Sequence, residues 1–320
     1  MVKELRETGC VSSSRVNPTA AEWSGRRVLV TGGTGFIGSR LLARLDALGA
    51  QTQLVSRRPG PTTTSSAASS VVDLTDPAAC LALVEASRPD VVFHLASAVT
   101  GARDVNLVVP LMQANLGIAV NLLAAVAQVV PHARTVLAGS IEENVGGDGS
   151  APTSPYTAAK VAATSYATMF ALIWGTPVSV LRIGMVYGPG QADRSKLIPS
   201  VTTGLLRGEN PPVGSGKRLV DWIFVDDVVE AFLCAARVST PPGTVVDVCS
   251  GHPITVRETL EKLDRLVGGS GAPRFGALPD RVADVDQIGD PRPAADIIGW
   301  RPTTDLADGL RRTVEWYAEH

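Results

Sequence analysis

Cysteine is scarce and scattered. The four residues at positions 10, 80, 234 and 249 show no C-x-x-C spacing and no histidine at metal-ligand distance, which argues against a disulfide framework or a structural metal. Free thiols in a reducing cytosol are expected, and the predicted localisation is cytoplasmic. Excess charge of one sign is also lacking. With 29 Lys and Arg against 31 Asp and Glu, the formal charge is -2, so no broad basic field exists for nucleic acid or anionic lipid, and small-molecule chemistry fits better. No uninterrupted apolar run approaches about 18 residues, which predicts a soluble chain without a spanning helix. Residues 1–24 mix charge, serine and proline without an apolar h-region, so they read as a flexible leader and as neither signal nor anchor. What the chain does have is length and apolar content. Its 320 residues, 45% of them hydrophobic, can fill a large α/β core without staples.

Thr31-Gly-Gly-Thr-Gly-Phe-Ile-Gly38 directly follows the strand-like run Arg-Arg-Val-Leu-Val. Glycines at 32, 35 and 38 turn a strand sharply into a helix, bring backbone against a pyrophosphate and pack helix on sheet, with Thr34, Phe36 and Ile37 completing the cradle. Strand and helix patterns then alternate: strand 26–31, helix 36–48, strand 51–56, helix 77–87, strand 90–95, helix 106–130, strand 134–139, helix 155–174 and strand 177–183. Such alternation predicts an α/β fold, a doubly wound parallel Rossmann sheet with a smaller interleaved C-terminal substrate lobe. Residues 25–186 form its dinucleotide-binding core. From 187 to 320, pieces broken by proline and glycine suit the substrate lobe, with segments returning to the core at about 221–250: a helix 226–237 capped by Asp226 and Asp227, and a strand 244–249. Residues 59–70 read as a flexible loop.

A carboxylate at the end of the second strand would select NAD. Here Ser56, Arg57 and Arg58 stand there, a hydroxyl and two guanidiniums that match the 2′-phosphate of NADP(H). Asp73 and Leu74 then lie beside the adenine. Tyr156 and Lys160, four residues apart on a helix begun by Ser154 and Pro155, share one face, and the ammonium is expected to stabilise the phenolate or hold the nicotinamide ribose. Ser140, past the strand ending Val-Leu-Ala-Gly, is the expected third member.

These motifs, with Val-Phe-His-Leu-Ala at 92–96, Asn115, Ser-Pro-Tyr-Thr-Ala-Ala-Lys at 154–160, Val-Tyr-Gly-Pro-Gly at 186–190, Lys-Leu-Ile-Pro at 196–199, Asp-Trp-Ile-Phe-Val-Asp-Asp at 221–227 and Gly-Trp-Arg-Pro at 299–302, resemble the extended short-chain dehydrogenase/reductase family. The likeness is to its nucleotide-sugar branch and spans about residues 26–318. It implies a catalytic triad of Ser140, Tyr156 and Lys160, a nicotinamide side lined by Leu95, Ala96, Ser97 and Ile183, and Lys196, Leu197 and Ile198 approaching the substrate's nucleotide. It also implies a homodimer through helices 106–130 and 155–174. Two departures concern the substrate. Met185 replaces an asparagine that donates hydrogen bonds in relatives, and Val220 replaces an arginine, leaving Arg218 or Arg292 to meet the diphosphate. His94 reads as a packed histidine, Trp222 and Phe224 as core, and Cys80 and Cys249 as buried apolar groups.

Within that branch, Gly-Ser-Ile-Glu-Glu stands where dehydratases carry Thr-Asp-Glu. Ser140 and Glu142 match, but Ile141 removes the carboxylate that water elimination needs. The expected activity is therefore NADPH-dependent reduction of a nucleotide-linked 4-keto-6-deoxy sugar, with Glu142 orienting a sugar hydroxyl or standing solvated. A nucleotide-sugar 4-epimerase is the alternative, and a 4,6-dehydratase or a non-catalytic NADP-sensing regulator ranks below it.

Overall fold

The computed structural model describes residues 18–58, 68–144, 151–280 and 285–320. Seven strands form one parallel sheet: β1 (Arg27–Thr31), β2 (Gln51–Ser56), β3 (Ala68–Val71), β4 (Val91–His94), β5 (Arg134–Ser140), β6 (Val178–Ile183) and β10 (Thr244–Val248). Their spatial order is β10-β6-β5-β4-β1-β2-β3. The chain first builds outward from β1 to β3, then returns to place β4 on the other side of β1. The carboxyl ends of β1 and β4 therefore flank the point where strand order reverses, which is where such sheets leave a crevice for a ligand.

Helices α1 (Ala20–Trp23), α2 (Phe36–Ala47), α3 (Pro77–Ser87), α4 (Val108–Met112), α5 (Ile118–Val129), α6 (Pro155–Trp174) and α8 (Val225–Arg237) cover the sheet's two faces. The apolar rows of α2 and α8 meet β1, β4 and β6 in one cluster, and α3 and α5 close the opposite face over Leu29, Val55 and Val92. Asp76 caps α3 through Ala78 N (2.9 Å), and Ser154 caps α6 through Thr157 N (3.1 Å). Both helices start on a proline whose missing N–H costs nothing at that position.

A second cluster gathers Tyr187, Ile198, Leu205, Trp222, Phe224, Leu260 and Leu310. It is built from β7 (Met185–Tyr187) paired in parallel with β9 (Trp222–Phe224), β8 (Leu219–Val220) antiparallel to β11 (Ile254–Thr255), and α7 (Leu197–Leu206), α9 (Val256–Val267) and α11 (Leu306–Glu319). α10 (Arg292–Ile298) packs back on β10 and α8. Four helices occupy a region whose prolines and glycines predict short pieces. Those residues fall between the helices, where Gly268 and Gly299 in left-handed geometry end α9 and α10.

Four other expectations need correction. The leader was expected to run to residue 24, but α1 lies inside that range and Trp23 is fully buried, stacked on Phe93 at 6.0 Å. The loop 59–70 ends earlier, because Ala68–Val71 is the sheet's edge strand; a mostly exposed edge strand needs no apolar alternation, so periodicity did not mark it. Residues 1–17, with Cys10, and 59–67 lie outside the described residues. Asp226 and Asp227 do not cap α8, whose N-cap is Phe224 without a side-chain bond. Asp226 pairs with Arg40 and Arg312 (2.8 Å each), and Asp227 accepts from Thr303 N, Thr303 Oγ1 and Thr304 N. Finally, the helical stretch Val105–Val129 is by length and composition able to cross a membrane. Its Asn, Gln, Gly and Pro interrupt the apolar run without adding charge. Here it passes through a wide π-turn at Gln113–Gly117 and packs against α3 and α6.

Candidate active site

The turn after β1 is shaped by close approach. Gly32 has φ +73°, and a Cβ there would stand 2.5 Å from Ala96 N, while one on Gly38 would strike the Gly32 carbonyl. These two glycines thus pack the loop on its own neighbours. Gly35 differs: it is exposed, meets only Gly32 O at 3.2 Å, and as N-cap gives α2 no side-chain bond. The first N–H groups of α2 therefore face outward beside exposed Thr34, with Phe36 and Ile37 half-buried, a cradle that fits a dinucleotide pyrophosphate.

Across the crevice, the loop after β4 is pinned by Asn115 inside the π-turn. Its Oδ1 accepts from Ser97 Oγ (2.5 Å) and Ala98 N (3.1 Å), and its Nδ2 donates to Ala98 O and Leu111 O. Thr31 Oγ1 accepts from Ala96 N (3.2 Å) and bonds His94 Nδ1 (2.7 Å). Leu95, Ala96 and Ser97 are thereby held, half-buried, beside the glycine loop. His94 is packed as expected, and burial, aided by the Lys160 charge, pushes it down to about 3. It stays neutral throughout the physiological range.

Ser140 ends β5 and Ile183 ends β6, both buried. Burial first, then the charge of Glu142, pushes the Tyr156 phenol above its ordinary value, against the opposing influence of the nearby Ser140 and Ser97 hydroxyls. Burial pushes Lys160 down to about 8, opposed by Glu143. Its Nζ donates to Ala138 O (2.7 Å) and lies 5.8 Å from the centre of the Tyr156 ring. The three residues do converge. Burial thus favours the neutral phenol of Tyr156, opposite in direction to the help expected from Lys160.

Glu142 is half-buried and each of its carboxylate oxygens has a partner. Thr157 Oγ1 donates to its Oε2 (3.0 Å) and Gln287 Nε2 to its Oε1 (2.9 Å). Gln287 is buried, and its own Oε1 has no partner among the described residues. Gln287 carried no signal in the sequence, and Thr157 stood inside the 154–160 motif without a role of its own. Ile141 is 3% exposed and faces Gly289, so a hydrocarbon fills the place of a second acid.

The remaining candidates are dispersed. Ser56 Oγ donates to Arg58 O (2.7 Å), and Arg57 and Arg58 are exposed at the end of β2. Asp73 is exposed and its carboxyl is held low by bonds from Thr75, then by Arg57; Leu74 is buried behind it. Lys196 is the N-cap of α7, 3.9 Å from Asp193, with Leu197 half-buried; Ile198 is core and presents nothing to a ligand. Arg218 is half-buried just before β8. Arg292 turns outward, 84% exposed, to grip Asp290 at 2.7 Å, and is not brought to Tyr156. Trp222 donates to Thr259 Oγ1 within the second cluster, and Cys80, Cys234 and Cys249 are buried free thiols. No metal-binding cluster occurs among the described residues.

The family profile described as NAD dependent epimerase/dehydratase matches residues 28–249. The chain belongs to that family. The match covers the sheet, the glycine loop and the Ser140, Tyr156 and Lys160 cluster, and its members are NAD(P)-dependent enzymes of nucleotide sugars. A UDP-glucose 4-epimerase of Mycolicibacterium smegmatis is 30% identical, the alignment covering 91% of this chain and 98% of that protein. A dTDP-6-deoxy-L-talose 4-dehydrogenase (NAD(P)(+)) of Kitasatospora kifunensis is 32% identical over 94% and 98%. The solved structure of MoeE5 with UDP-glucuronic acid and NAD is 32% identical, with a TM-score of 0.80 over 90% of this chain and 98% of that one. Within this epimerase/dehydratase family the fold is the expected Rossmann sheet.

Proposed function

We propose that this enzyme reduces the 4-keto group of a nucleotide-linked 6-deoxy sugar, using NADP(H). The observation that carries the reading is the buried Tyr156 phenol gathered with Ser140 and Lys160, while the hydrocarbon of Ile141 stands where a second acid would be. Reduction of a ketone needs an acid at the oxygen. Bound nicotinamide supplies the hydride; the chain supplies the rest. Ser140 Oγ donates to the carbonyl oxygen and polarises it, Tyr156 transfers its phenolic proton to that oxygen, and the Lys160 charge eases the loss of that proton. Glu142, held by Thr157 and Gln287, is set to accept from a sugar hydroxyl.

Arg57 and Arg58, exposed where NAD-selecting relatives place an acid, support NADP through paired bonds to a 2′-phosphate. The name of the Kitasatospora relative supports redox work at carbon 4 of a deoxysugar. On this reading residues up to about 186, with β10, hold the coenzyme. Residues from 187 receive the sugar nucleotide, with Lys196, Leu197 and Arg218 nearest the diphosphate. On the same reading the protein is a cytoplasmic homodimer through α4, α5 and α6; the exposed side chains of Val105 (79%), Leu172 (66%), Ile173 (64%) and Trp174 (56%) support the association. The 4-epimerase is the second reading, favoured by the Mycolicibacterium relative and the NAD-bound neighbour.

The test is to titrate NADPH and NADH by fluorescence, then follow their oxidation with a panel of 4-keto nucleotide sugars. NADPH preference with stoichiometric reduction is expected. Tight copurified NAD and turnover of a UDP-hexose without added reductant would replace this reading with the epimerase.

A further inference from the structure

Residues 188–196, between β7 and α7, form neither helix nor strand, and they lead the chain to Lys196 at the start of α7. A loop of that kind keeps one shape only where groups from outside hold it. Three attachments are present. At the start, Arg40 of α2 donates from Nη2 to Pro189 O at 2.7 Å, and the chain then turns at Gly190 with φ +81°. In the middle, Tyr317 of α11 donates from Oη to Gln191 O, also at 2.7 Å. Near the end, the Arg194 guanidinium lies 4.6 Å from the centre of the Tyr317 ring and 6.0 Å from that of Trp316, while its Nη1 donates to Thr203 Oγ1 of α7 at 3.0 Å.

The far end is compact. Asp193 Oδ1 accepts from Ser195 N (3.0 Å) and Ser195 Oγ (2.5 Å), and Asp193 O accepts from Lys196 N (3.2 Å). Residues 193–196 are thus one bonded turn, and whatever fixes Arg194 fixes the approach to Lys196. Tyr317 is 5% exposed, its ring braced edge-on by Trp316 at 4.9 Å. Arg194 is exposed. A long surface side chain gives up rotamer freedom when it is held, and here a cation–π contact and a hydrogen bond at the same head offset that loss. None of these atoms belongs to the glycine loop or to the Ser140, Tyr156 and Lys160 cluster.

We propose that Tyr317 is a positioning residue for the substrate: with Arg194 it latches the turn at 191–196 to α11, so that Lys196 and Leu197 stand ready for the diphosphate of a nucleotide sugar. The proposal deepens the reading above and rests on its placement of Lys196 beside the diphosphate. A turn already in its bound shape does not have to be ordered when the ligand arrives, and affinity is higher by that amount. Releasing the latch then weakens the nucleotide and spares both the chemistry and the coenzyme.

The experiment is calorimetric titration of UDP, dTDP, GDP and CDP into the protein with excess NADPH, comparing the native chain with Tyr317→Phe and Arg194→Gln. Tyr317→Phe keeps the ring and removes only the bond to Gln191 O. The nucleoside diphosphate that the native protein binds is expected to be held about three- to tenfold more weakly by each variant, as for one lost hydrogen bond. The NADPH dissociation constant, read by fluorescence, should change less than about twofold. In steady state with a 4-keto nucleotide sugar, KM should rise by the same factor as the nucleotide constant, and kcat should stay within about twofold. A role confined to packing would lower stability in urea and leave the nucleotide constant in place, and that result overturns the proposal. So does a weakening by Arg194→Gln with none by Tyr317→Phe, which would make Arg194 itself a phosphate contact. If Tyr317→Phe does not fold, Thr203→Val withdraws the second anchor of Arg194 and must weaken the nucleotide in the same way; an unmoved constant again overturns the proposal. Should no 4-keto sugar be turned over, the reductase reading fails while the nucleotide titration still decides the role of Tyr317. Binding of none of the four nucleotides by the native protein overturns the proposal as well.

Discussion

Acidification should destabilise this protein, and His94 carries a share of the loss that can be isolated. Its folded value of about 3 lies below the ordinary 6.5 because the ring is buried. A base depressed in this way binds its proton in the unfolded chain first. Its effect is absent above pH 6.5, grows as pH falls toward 3, and is constant below. Each pH unit inside that window costs about 1.4 kcal/mol, so the loss at pH 5 is about 2 kcal/mol and approaches about 5 kcal/mol near pH 3. Glu143, raised by burial, acts in the opposite direction at the acid end. The clean comparison is therefore between the native protein and His94→Asn, which retains a partner for Thr31 Oγ1 and cancels every other titration. Urea unfolding of both at about pH 7.5 and pH 5 should show the native protein losing about 2 kcal/mol more than the variant. Equal losses would mean that His94 is solvated or ionised in the fold, and the argument from burial would be wrong.

Tyr156→Phe should lower kcat by about 10²- to 10⁴-fold and leave dinucleotide binding intact; a loss under tenfold in steady-state assays would remove the phenol as the acid. Arg57→Ala and Arg58→Ala should each weaken NADPH by about 10- to 100-fold, the worth of a charge-assisted bond to phosphate, without changing NADH. Equal effects on both coenzymes in fluorescence titration would contradict a 2′-phosphate contact. Trp23→Ala removes a fully buried ring from between α1 and Phe93 and should cost about 3–5 kcal/mol in urea unfolding; a neutral result would show that α1 is not docked.

The parallel sheet was legible because its central strands are buried on both faces and read as apolar runs, with glycine, Ser154-Pro155 and Asp76-Pro77 marking where helices begin. β3 was not, since Ala68, Ser69 and Val71 are exposed on an edge that asks nothing of its side chains. Within the site, residues acting through neighbours in sequence were readable: the glycine loop, Tyr156 with Lys160, and Ser140. Gln287 was not, because it reaches Glu142 from 145 positions away, across a fold that local spacing cannot see. Glu143 lay between. Its capping box with Ser140 is local in sequence, but its burial and its bond from Thr164 belong to the folded chain. The arginines divide the same way, for nothing local distinguishes Arg292, occupied by Asp290, from an arginine turned toward a ligand.

β10 enters the sheet only after the chain has left it to make β7, α7, β8, β9 and α8. A cut anywhere between Tyr187 and Thr244 thus bares the β6 edge, a row of unpaired amides open to self-association. The two halves are woven rather than joined end to end. Grafting a foreign sugar-recognising half onto this frame as a cassette would break the weave, so altered specificity has to be introduced loop by loop with the crossing strand left in place.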